Sequence, residues 1–215
     1  MKGIASIITS SALLVLGLAG CGKQDAEAIK RPDWVVESRV QFRAADAKTV
    51  VASPKEPVRL WMPYVVGDFY GAPNEGEPVP VTLEDDLTFT LDLNQSHQRL
   101  AKSLVPTTFS QKWMTIEPVA ARVARLSAFV MPKEGIAPIG TTEWLDPDTG
   151  SKLMLIYVDR PARIRGEIVH EGRNLRFDIE AKEAGFLWVQ QPEGSGEYRT
   201  ATPPVHPILA VMPNS

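Results

Sequence analysis

Arg163 to Glu180 constrains the fold more than any other stretch of this chain, because a single strand register sorts nearly all of its residues. Glu171-Gly172 suits a two-residue turn closed by His170 and Arg173, a sequence type that tight hairpins favour. Counting outward, Glu167 faces Arg176, Arg165 faces Asp178 and Arg163 faces Glu180. On the other face Ile168 meets Leu175, Gly166 meets Phe177 and Ile164 meets Ile179. A slip of one residue would send every side chain to the wrong face. Each charge pair contributes only about 0.2–1 kcal/mol, so the pairs specify register more than they stabilise.

Short apolar runs broken by Pro, Gly and Asp continue this pattern from Trp34 onward, which is an all-β signature. Leu87 to Leu93 alternates, with Leu87, Phe89, Leu91 and Leu93 toward a core and Thr88, Thr90 and Asp92 toward solvent. Leu153 to Val158 is apolar at every position, which predicts a central strand covered on both faces. Before it, Pro147 suits the second position of a type I turn, and Gly150 can take the left-handed conformation that completes a hairpin loop. Val58 to Tyr64, Phe186 to Gln190 and Ile208 to Met212 read as further strands. Ser96 to Leu104 is the best helix, with Asn94 or Ser96 as its cap and Pro106 as its stop. Glu117 to Met131 carries a helical stripe (Val119, Val123, Leu126, Val130) and a strand-like second half, and the pattern favours strand from about Arg122. The expected fold is a single antiparallel β-sandwich over residues 34–215, with one or two short helices.

The first twenty residues have a different character. Lys2 supplies a positive start, and Ile4 to Leu18 an apolar run too short and too interrupted for a comfortable membrane span. Leu18-Ala19-Gly20-Cys21 resembles the lipobox of bacterial lipoproteins at all four positions. That resemblance implies a signal peptide over 1–20, cleavage before Cys21, a diacylglycerol on its sulfur and a palmitate-like chain on the new amino terminus. Gly22 in place of Asp implies, by the same resemblance, the outer membrane with the domain facing the periplasm. Several acyl chains hold where one binds only reversibly, since each buried methylene contributes about 0.8 kcal/mol. Residues 21–33 read as a lipidated polar tether, reaching roughly 20 Å as a coil.

Cys21 is the only cysteine, so no disulfide, thiol enzyme or cysteine-ligated zinc is expected of the domain. The formal charge is -3 with no basic block, which argues against nucleic acid as a partner. Gly-rich phosphate loops are absent from the sequence, and no cofactor is expected.

Candidate sites are few. Arg160, Arg163, Arg165, Arg173 and Arg176 form a cationic cluster, but most face a carboxylate in the hairpin register. Asp146-x-Asp148-x-Gly150 resembles the first half of a calcium loop, yet Thr149 stands near the third acidic position and no glutamate follows at EF-hand distance. A turn in which Asp146 caps its own backbone is the plainer account, leaving Asp146 and Asp148 as weak metal candidates. His97, His170 and His206 show no metal-ligand spacing, and Gly194-Ser195-Gly196 lacks the nucleophile-elbow pattern. Glu84-Asp85-Asp86 offers paired carboxylates at the start of a strand, where a polar turn is the ordinary reading. Trp61, Tyr64, Phe69 and Tyr70 cluster around a Pro/Gly-rich loop and could present a stacking surface for sugar rings or a partner protein. The expectation is a non-enzymatic binding or scaffold lipoprotein of the envelope, partnered with the bilayer through Cys21 and with envelope proteins or carbohydrate. The alternative is an anchored enzyme acting on envelope carbohydrate or peptidoglycan.

Overall fold

A computed structural model describes residues 34–66, 78–103, 113–170 and 172–213, which form an all-β, sandwich-like fold with one short helix. The first strands are β1 (Val35–Phe42), β2 (Val58–Trp61), β3 (Tyr64–Val66), β4 (Thr88–Asp92), β5 (Met114–Glu117), β6 (Val123–Leu126) and β7 (Phe129–Pro132). They continue as β8 (Gly140–Leu145), β9 (Lys152–Val158), β10 (Ala162–His170), β11 (Arg173–Ala181), β12 (Gly185–Gln191), β13 (Glu197–Ala201) and β14 (Ile208–Pro213). Helix α1 (Asn94–Ser103) follows β4. One sheet runs β4-β1-β14-β8-β9-β12-β13-β11-β10-β5, with β6 also on β9 and β3 on β6. Most neighbours are antiparallel; β1 with β14 and β11 with β13 are parallel.

The β10–β11 hairpin has the register read from its charges, from His170 opposite Arg173 out to Arg163 opposite Glu180. Gly172 takes the positive φ, +74°, that the turn demands. The ion pairs follow this register in part: Arg165 meets Asp178 directly opposite, whereas Arg163 reaches diagonally to the same carboxylate and Arg176 pairs across to the next strand. Asp178 receives Arg163 at 3.0 Å and Arg165 at 3.3 Å, and Arg176 turns to Glu197 on β13 at 3.6 Å. A long side chain such as Arg163 can also reach a diagonal neighbour across a twisted pair of strands. The arginine hydrogen bonds hold the Asp178 carboxyl below its ordinary range.

β9 lies between two cores, which explains a strand with no polar position inside it. Leu153, Leu155 and Tyr157 join Phe42, Phe89, Leu91, Trp144, Trp188 and Leu209 on one face. Met154, Ile156 and Val158 join Met114, Ile164, Phe177, Ile179 and Val189 on the other. The two ends of the long sheet thus cover opposite faces of the same central strand.

In the ambiguous stretch 117–131 the second half is strand, β6 starting at Val123 after a turn at 118–120. β2–β3 and β6–β7 form one antiparallel ribbon in unbroken register, with Trp61 opposite Phe129 and Tyr64 opposite Leu126. Between the two halves the Ser127 amide donates to the Pro63 carbonyl at 2.9 Å, while Pro63 has no amide to continue the ladder. The strands are interrupted there: β6 pairs with β9, and beyond it the Thr142 hydroxyl of β8 donates to the Ala128 carbonyl. The helix-favouring alanines Ala121, Ala124 and Ala128 are instead buried along this ribbon and its approach, where tertiary packing outweighs local propensity. The run Val58 to Tyr64 is likewise broken at Met62-Pro63.

Helix α1 begins at Asn94, two residues before the expected start. Its first turn is closed by the His97 amide donating to the Leu93 carbonyl at 3.1 Å. The Asn94 amide donates to the Asp92 carboxylate at 2.9 Å, and Ser96 is buried. Pro106 and Leu104 lie outside the described residues. Leu87 takes φ +67° in the preceding turn and is half-buried, so β4 starts one residue later than the alternation suggests.

Candidate functional site

The outer face of β4, β1 and β14 forms the floor of a groove of about 940 Å³. The register of these strands sets the floor in rows. Thr90 lies beside Glu37, which lies beside the chain at His206; Thr88 lies beside Arg39, which lies beside Ile208. β1 presents Glu37 and Arg39 outward because Ser38, Val40 and Phe42 face inward, the period-2 consequence of a pleated strand. The Ser38 hydroxyl donates to the Pro207 carbonyl at 2.6 Å, tying the segment before β14 to β1. That tether holds His206, at φ +52°, with its Nδ1 3.6 Å from the Glu37 carboxylate.

Two loops wall the groove. On one side Pro80, Val81, Thr82 and Glu84 approach it from the segment that leads into β4. Thr88 donates its hydroxyl and amide to Asp86, at 2.6 and 3.0 Å, which fixes this turn and lowers the Asp86 pKa. On the other side stand Pro147 and Asp148. Asp146 accepts the Asp148 and Thr149 amides at 2.9 and 3.4 Å, and Gly150 completes the turn at φ +67°. The Asp146 carboxylate is therefore a backbone cap, as its sequence context suggests. No group of three His, Cys, Asp or Glu side chains that could hold a metal ion occurs among the described residues.

The groove is electrostatically one-sided. Glu37, Glu84, Asp92 and Asp148 line it, against Arg39 and His206. A second groove of about 850 Å³ differs in this respect: its Lys48 pairs with Glu193 at 2.7 Å, and its Lys152 pairs with Glu143. Those charges answer one another within the chain. In the first groove the excess negative charge faces solvent.

Of the candidate site residues singled out in the sequence, Glu84, Asp148 and His206 meet in the groove, and the other described ones lie apart from it. Tyr64 is buried in the core, and Trp61 is half-buried against Phe129, ring centroids 5.3 Å apart. Phe69 and Tyr70 lie outside the described residues. His97 packs between Trp34 and Tyr157, at centroid distances of 4.7 and 5.5 Å, while His170 ends the β10–β11 hairpin. Ser195 is used locally, its hydroxyl accepting the Glu197 amide at 2.9 Å. The groove residues Glu37 and Arg39 are absent from the sequence candidates because they depend on β1 being a strand. The alternation of Val36, Ser38, Val40 and Phe42 is the signal that carries it.

No protein-family model, no curated protein and no solved structure matches this chain.

Proposed function

We propose that this protein is a lipid-anchored, periplasm-facing binding module of the bacterial envelope, with the groove over β4, β1 and β14 as its ligand surface. Leu18-Ala19-Gly20-Cys21 supports the anchor, and the polar stretch to Asp33 supports a tether before the β domain. The single observation that carries the binding role is the acidic groove, since a concave, charged surface outside a well-packed core is what a recognition site requires. Its carboxylates favour recognition over glycoside chemistry. Asp92 is engaged with the Asn94 amide and Glu37 lies beside His206, whereas a glycosidase needs two carboxyl groups directed at one bond.

The test pairs the anchor with the surface. Palmitate labelling and membrane association should be lost in Cys21→Ser while the domain stays folded. A photocrosslinking residue at Glu37 should give a discrete adduct in cells, and one at the exposed Lys182 should not. Retained labelling in Cys21→Ser would refute the anchor, and equal crosslinking at both positions would refute the groove.

A further inference from the structure

Among the described residues β4 is the terminal strand of the sheet, with no strand paired to its outer edge. Its odd-numbered residues turn their backbone groups to β1, as the Val40 amide to Leu87 carbonyl bond (2.8 Å) and the Leu93 amide to Trp34 carbonyl bond (3.0 Å) show. Backbone direction alternates along a strand, so Thr88, Thr90 and Asp92 turn theirs the other way. Thr88 uses its carbonyl on that side, accepting from the Glu84 amide at 2.9 Å. The next rung would join Thr82 to Thr90, and among the described residues it is not made. The two arms part there, with Thr82 and Thr90 both lining the groove. Protein edges are commonly blocked by lysine, proline or a bulge. β4, Thr-Phe-Thr-Leu-Asp, carries neither of those residues.

We propose that an extended, lysine- or arginine-bearing segment of a partner protein adds as a strand to the outer edge of β4. This deepens the binding-module reading and rests on it for the site. The Thr90 amide and carbonyl supply main-chain bonds, the source of affinity in strand addition. Side-chain selection comes from the acids: alternate residues of an added strand point to one face, so cations at every second position lie over Glu84, Glu37 and the Asp92 Oδ2. An anionic or neutral strand meets uncompensated carboxylates instead.

The test uses the full-length lipidated protein in detergent micelles. Two capped seven-residue peptides serve as probes, one alternating lysine with valine and one alternating glutamate with valine. The lysine peptide should bind at least about tenfold more tightly by fluorescence anisotropy, less so as salt rises, and should slow hydrogen exchange at the Thr90 amide. Thr90→Pro removes the outward amide that strand addition needs and should abolish binding. Because that variant could misfold, Glu37→Gln with Glu84→Gln, both at exposed positions, should weaken the lysine peptide about tenfold with the fold intact. Equal binding of the two peptides, or binding without protection at Thr90, overturns the proposal. If crosslinking at Glu37 persists while Thr90 stays unprotected, strand addition is wrong and the groove remains a binding surface. If both fail, the binding-module reading falls as well.

Discussion

The indole of Trp34 lies directly over Gly185: a Cβ built on that glycine would sit 2.2 Å from the Trp34 Cζ2. Gly185 also holds φ +138°, which side-chain-bearing residues rarely adopt. Trp34 in turn packs on His97 and Phe186, so the start of β1 is seated on α1 and β12 through one ring.

Gly185→Ala should therefore destabilise the domain by about 1–3 kcal/mol, read as a lower urea midpoint. Adding Trp34→Ala to it should cost less than the sum of the two single changes, because the clash disappears with the ring. Simple additivity would mean the ring and the glycine are not coupled.

Leu155→Ala and Ile156→Ala empty opposite cores from adjacent positions of β9. Each should cost about 2–5 kcal/mol, and each should shift one common unfolding transition. Two separable transitions in either variant would show that the cores fold independently.

Ser38→Ala removes the 2.6 Å donor to the Pro207 carbonyl at a buried position. The stranded carbonyl should cost about 1–3 kcal/mol. The His206 ring, held beside Glu37 by that tether, should change its NMR chemical shift in the variant. An unchanged His206 resonance would show that the groove wall is held by something else.

Asp178 is exposed and shared by two arginines, so Asp178→Asn should cost less than about 1 kcal/mol. Its native pKa lies below the ordinary value of 3.8, chiefly through the Arg163 hydrogen bond. The native state thus gives up this proton more readily than the unfolded chain. Its stabilisation is fully present above about pH 4 and is lost as the pH falls through the lower native pKa. Acid unfolding of the variant should show a shallower dependence over that low-pH range. An identical profile would assign the acid sensitivity to other carboxylates.

Local pattern carried much of the architecture. The charge and apolar periodicity of Arg163 to Glu180 specified its own register, because both partners lie within one hairpin. Leu153 to Val158 announced a strand covered on both faces, because burial on both sides tolerates no polar residue. In Glu117 to Met131 the local preferences conflicted, and the break between β6 and β7 lies opposite Pro63, far away in sequence. In the aromatic grouping around Trp61, proximity in sequence says nothing about face: Tyr64 is turned into the core.

By itself, then, the sequence determined the all-β class, the hairpin register and the lipobox resemblance at Cys21, each written in contiguous residues. Tertiary structure alone decided that Glu37, Glu84, Asp92, Asp148 and His206 share one groove and that β4 is left at an edge. The reason is physical. Pairing β1 parallel to β14 joins residues some 170 positions apart, and such a contact leaves no mark in either segment.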